Sequence, residues 1–164
     1  MQLKSKARKK YIITALILIM LLILAGCANS SDSFIKNEVN PQIDVLGVKL
    51  LMDEKSALET VGSEGEKAMC VYGYEYDYSD KLINVGFNSD TKLVRRVCSK
   101  NPETSIYGIK PGMELSQAYE IISSNGFKKD SKYNFQKEKV ILSIISMKGT
   151  NADGITIEIN PDQK

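Results

Sequence analysis

The most reactive side chains in this 164-residue sequence are three thiols, Cys27, Cys70 and Cys98, and there is no histidine to activate them. Without an imidazole, Ser-His-Asp and Cys-His nucleophilic schemes, histidine metal ligation and pH switching near neutrality are all excluded. Gly-rich phosphate loops and an EF-hand loop are missing as well. Asp77 with Asp80, Asn88 with Asp90, and Asn151 with Asp153 have spacings that suit hairpin turns better than calcium ligation. Carboxylate pairs for glycoside hydrolysis are defined in space rather than in sequence, and no pair stands out. Cys98 follows Arg95 and Arg96 but has no base to serve it, so it makes a poor nucleophile. We therefore expect no catalytic residue, no metal and no cofactor.

Cys27 has a different chemistry. It closes Leu24-Ala25-Gly26-Cys27, which follows a basic segment (Lys4, Lys6, Arg8, Lys9, Lys10) and a 14-residue run, Tyr11 to Leu24, that is apolar apart from Thr14. The run is short for a permanent membrane span, which takes about 20 residues, and its order is that of a signal peptide. The stretch resembles the lipobox of bacterial lipoproteins. That resemblance implies a diacylglycerol thioether on Cys27, cleavage before it, and a chain held by lipid on the extracytoplasmic face of the cell membrane. An uncleaved anchor helix is the alternative, and it too leaves the rest of the chain outside the cytoplasm.

Removal of residues 1–26 leaves 138 residues, enough for one domain with a real core. It also reverses the charge. The full chain carries +2, whereas residues 27–164 hold 17 Lys and Arg against 20 Asp and Glu, a net of −3. No basic excess remains to suggest a nucleic-acid partner. Residues 27–42 are polar and aperiodic and read as a lipidated tether with a span of roughly 20–25 Å, in which Phe34 and Ile35 either make transient contacts or dock on the domain or the lipid.

Displacing the chain on itself by 61 positions aligns Gly47–Lys67 with Gly108–Lys128 at eight identities in 21 positions, among them Gly47/Gly108, Lys49/Lys110, Met52/Met113 and Ala57/Ala118. Two repeats are expected, residues 43–102 and 103–164. In the second, Leu115, Ala118, Tyr119 and Ile122 form one helical stripe after Glu114, and Asn125-Gly126 stops it. In the first, Asp53 is the N-cap, Ala57, Leu58 and Val61 form the stripe, and Gly62 or Gly65 ends it. Three strands follow each helix: 71–78, 82–87 and 92–97, then 132–136, 140–147 and 154–159. The expected class is α+β: two repeats of a short helix and an antiparallel β-meander, sharing one sheet with the helices on one face.

Two further features depend on that arrangement. Tyr72, Tyr74, Tyr76 and Tyr78 alternate along the first strand, so all four rings project from one face. Either they pack under the helix, or they lie on the open face as a binding stripe, where tyrosine is favoured. Cys70 and Cys98 invite a disulfide in an exported chain, yet they fall toward opposite ends of the meander, and a bridge needs Cα atoms within about 7 Å.

Gly108-Ile-Lys-Pro-Gly-Met113 followed by a short helix is similar to the repeat of the beta-lactamase inhibitor protein and BamE family, and Gly47-Val-Lys-Leu-Leu-Met52 is a degraded form of it with Leu51 in place of Gly112. The resemblance implies a non-enzymatic module that presents a sheet to a protein partner of the cell envelope. An envelope-assembly role and small-ligand or cell-wall binding are the alternatives.

Overall fold

The computed structural model describes residues 30–62 and 65–161. The chain divides into Met1–Ser33 and Phe34–Lys164, and the second unit holds the fold. The expected signal peptide and the expected lipid attachment at Cys27 lie outside the described residues.

Ser30–Phe34 (α1) runs directly into a π-helical turn at Ile35–Val39 and a 3-10 turn at Asn40–Gln42. Ile35 and Val39, one turn apart, are fully buried, and Phe34 is buried beside them. The Asn40 side chain donates to Leu50 O (2.9 Å) and accepts from Leu50 N (3.0 Å). The expected tether therefore stops short of Gln42, because from Phe34 onward the segment belongs to the core. Its polar residues sit on the outer side of the turns and mask the inward apolar pair.

Ile43–Asp44 (β1) pairs antiparallel with Ser105–Ile106 (β6). Between them come helix α2 (Glu54–Val61) and strands β2 (Glu66–Cys70), β3 (Gly73–Tyr78), β4 (Ile83–Asn88) and β5 (Val94–Ser99). After β6 come α3 (Leu115–Ser124), β7 (Lys128–Lys129), β8 (Asn134–Lys137), β9 (Val140–Ile145) and β10 (Gly154–Ile159). Strands β2 to β5 and β7 to β10 form one antiparallel sheet of eight, in the order β2-β3-β4-β5-β10-β9-β8-β7. The class is α+β, as the sequence predicts. Each half has four strands in that sheet rather than three. The missed strands are its edges: β2 is exposed along nearly its whole length and shows no alternation, and β7 has only two residues.

Residues paired across neighbouring strands share a face. Tyr76, Val85, Val97, Ile157, Leu142 and Phe135 are linked in that way from β3 to β8. All but Tyr76 are buried. Both helices contact this face: Glu54 of α2 accepts hydrogen bonds from Tyr74 and Tyr76, and the Tyr119 ring of α3 lies 5.4 Å from Phe135.

The helices begin and end where local chemistry directs. Asp53 caps α2, its carboxylate accepting from Ser56 N at 2.9 Å and Ser56 Oγ at 2.7 Å. Gly126, at φ 80°, turns the chain away from α3. The two helix starts use the same main-chain bonds. Leu51 N donates to Val94 O and Val94 N to Met52 O, both at 2.8 Å; Gly112 N donates to Ala152 O at 2.7 Å and Ala152 N to Met113 O at 2.8 Å. Leu51 adopts a left-handed φ of 64° where Gly112 has 97°. The tight turn is thus kept without its glycine.

Candidate binding face

The four tyrosines do not form one exposed stripe. Tyr74 and Tyr78 are buried beneath α2, with Tyr74 stacked on Phe87 at 5.4 Å, and Tyr76 is half-buried. Neither Tyr74 nor Tyr78 offers a contact surface. Tyr72 is not in the strand at all: Val71-Tyr72 forms the β2–β3 turn, and Gly73, at φ 143°, opens β3. Tyr72 is 47% exposed and lies 5.3 Å from the Arg95 guanidinium.

Under α2 the tyrosine hydroxyls meet a carboxylate. Tyr74 donates to Glu54 Oε2 at 2.8 Å, Tyr76 to Glu54 Oε1 at 2.9 Å, and Lys67 Nζ to Oε1 at 3.3 Å, with the ammonium 4.0 Å from the Tyr74 ring centroid. Desolvation works to raise the Glu54 carboxyl, but the hydrogen bonds from Tyr74, Tyr76 and Lys67 outweigh it and hold the group below the usual carboxylate range. Burial first, then the hydrogen bond to Glu54 and its charge, push the Tyr74 hydroxyl well above the ordinary tyrosine value. This cluster joins the edge strand β2 to α2.

Cys70 and Cys98 are both free thiols, so the possible disulfide is not formed. Cys98 pairs with Asn84, Asn84 with Asp77, and Asp77 with Glu66, four residues along β2 from Cys70. The two sites are therefore three strands apart, roughly 14 Å, as well as offset along the strands. No bridge spans that gap.

The other face of the sheet is not covered by a described helix and carries the charges. In register across it stand Ala68, Glu75, Gly86, Arg96 and Glu158. A bulge at Gly86/Phe87 leaves Arg95 without a pairing partner on β4, and the local shift turns its side chain onto this same face. Arg95 Nη1 donates to Glu158 Oε2 and Arg96 Nη1 to Glu75 Oε2, each at 3.2 Å. Arg95 also donates to Cys70 Sγ at 3.6 Å. A groove of about 600 Å³ runs over β2–β5, walled by Glu66, Glu75 and Asp77 on one side and Arg96 and Lys100 on the other, with Asn84 and Cys98 in its floor. Asn84 Oδ1 is buried there and finds no hydrogen-bond partner among the described residues.

Compared with known proteins, the chain matches no family model, no curated protein and no solved structure. The chemistry of the face has to be taken from its own geometry. Paired charges and small floor residues suit contact with another molecule. Among the described residues no group of three or more acidic, cysteine or histidine side chains is placed to hold a metal ion. The Asx residues of the turns shape them: Asn88 Oδ1 accepts from Asp90 N and Thr91 N, both at 2.9 Å, and Asp153 Oδ2 accepts from Met147 N at 2.6 Å. The sequence signals Arg95 and Arg96 only as neighbours of Cys98. Their joint placement on one face follows from the bulge, which has no signature in the residues.

Proposed function

We propose that this chain is a lipoprotein, anchored through Cys27 on the extracytoplasmic face of the cell membrane, that acts as a non-catalytic binding module for an envelope protein. The observation that carries the binding role is the sheet itself. One face is closed by α2 and α3, and the other presents a charged groove with Asn84 in its floor. The lipid anchor rests on the lipobox Leu24-Ala25-Gly26-Cys27.

The domain is, on this reading, two copies of one helix-and-meander unit of the kind found in the beta-lactamase inhibitor protein and BamE family. The matching helix starts at a 61-residue offset support it. So does a pairing that joins corresponding positions of the two halves, Asp44 with Ser105, 61 residues apart. Such a pairing is what a two-fold relation between the copies requires.

Cross-linked co-purification of the full-length protein from its own membranes tests the binding role, with Cys27→Ala and Asn84→Lys beside the wild type. One protein recovered with the wild type and lost with Asn84→Lys supports the groove as its seat; loss with Cys27→Ala shows that anchoring is needed. If no protein is enriched, the protein-binding role fails and ligand or cell-wall binding takes its place.

A further inference from the structure

The charge of this domain is unevenly distributed. Lys36, Lys128, Lys129, Lys132, Lys137 and Lys139 lie in the segments around the β7–β8 edge, against Glu38, Asp130 and Glu138, a local net of +3 in a chain whose residues 27–164 sum to −3. These segments are in contact: Lys137 Nζ is 3.7 Å from Glu38 Oε2 and 5.6 Å from the Phe34 ring centroid. A cleft of about 420 Å³ opens among Gly126, Lys128, Lys129, Asp130, Gln136, Lys137 and Glu138. Lys129 and Lys132 sit over the rings of Tyr119 and Tyr133, at 5.8 and 4.9 Å. Lysines with half-exposed tyrosines beneath them are the composition of a membrane-interface surface.

Phe34, the first core residue, stands at this edge, and seven residue steps separate it from Cys27. Fully extended, those steps reach at most roughly 25 Å. We infer that the β7–β8 edge docks on the anionic surface of the membrane, with Lys128, Lys129 and Lys132 facing the lipid phosphates. The inference rests on the proposed anchor at or near Cys27. It has a geometric consequence. Strand β2 lies seven strand spacings from β7 along the sheet, roughly 33 Å, so the acidic wall of the groove is carried away from the bilayer and stays open to a partner.

The test uses full-length protein purified from membranes and reconstituted with vesicles of phosphatidylcholine alone or with about one-third phosphatidylglycerol. Lysines are acetylated by a water-soluble ester and mapped by mass spectrometry, and the intact mass reports the lipid on Cys27 separately. The expected result is that Lys128, Lys129 and Lys132 react at least about threefold more slowly on phosphatidylglycerol vesicles, that high salt removes the protection, and that Lys55 and Lys92 are unchanged. Replacing the three lysines by glutamine should leave the fold intact, since all three are exposed, and abolish any salt-sensitive part of vesicle association. Equal reactivity on both vesicles, with the lipid mass present, overturns the docking edge and leaves the anchor standing. If the lipid mass is missing, the anchor reading falls; binding to phosphatidylglycerol vesicles with those lysines protected then still upholds the edge, and failure to bind overturns both.

Discussion

At the start of α2 the chain places Glu54 and, beneath it, Tyr74; at the start of α3 the positions 61 residues later hold Leu115 and Phe135. The main-chain bonds around the two starts match to within about 0.2 Å. What they bury differs in kind. Leu115 and Phe135 are apolar and shielded, with Tyr119 against Phe135, while Glu54 gathers two phenol hydroxyls and an ammonium. The backbone turn is indifferent to this choice, because its hydrogen bonds involve only main-chain groups. The side chains have to change together, because a carboxylate or a phenol buried without its partner is costly. The same contrast holds at the sheet edges: β2 is five residues long and followed by an exposed Val71, whereas β7 is two lysines, a charged and very short edge that discourages pairing with other chains.

The largest effect is expected from the apolar start. Leu115→Ala should lower stability by about 2–3 kcal/mol in urea unfolding, since a nearly buried leucine leaves a cavity. A loss under about 1 kcal/mol would show that α3 is not held by this burial. Glu54→Leu should come next, at about 1–2 kcal/mol, because it strands the Tyr74 hydroxyl. Combined with Tyr74→Phe, which installs the pair found in the second half, much of that loss should return; strictly additive losses in the double-mutant cycle would mean that the two residues do not act as a unit.

Smaller effects separate the turns. Gly112→Ala meets no described atom within 4 Å, so its cost, about 1 kcal/mol, should come from the left-handed φ alone. Leu51→Gly relieves the same strain but removes a side chain packed on the core, and the expected net change is smaller still. The least effect concerns pH. The folded Glu54 carboxyl lies below its usual value of 4.5, so its stabilising contribution is present above that pH and is lost as the pH falls through the folded value. Glu54→Gln should flatten this part of the acid limb of a stability profile, and an unchanged limb would remove Glu54 from the account.

Much of the local structure was legible from neighbouring residues alone. Asp53 announces one helix, Gly126 ends the other, and the spacing of Leu115, Ala118 and Ile122 marks its buried face. The Asn88 turn follows equally from side-chain chemistry within three positions. Less could be read where the partner is distant. Strand β2 lacks alternation because its side chains are largely exposed, and the inward turn of Ile35 and Val39 is hidden among polar neighbours.

By itself the sequence determined the α+β class, the helix caps and turns and the absence of histidine chemistry, all of which are written in the residues themselves or in neighbours close together in the chain. Only the tertiary structure decided which face of the sheet α2 and α3 cover, that Tyr74 and Tyr78 are core while Tyr72 is outside, that Cys70 and Cys98 stay apart, and that Arg95 joins Arg96 on the open face. Side chains alternate along a strand, so pairing register and a single bulged residue decide which face each one joins, and both depend on strands far away in the sequence.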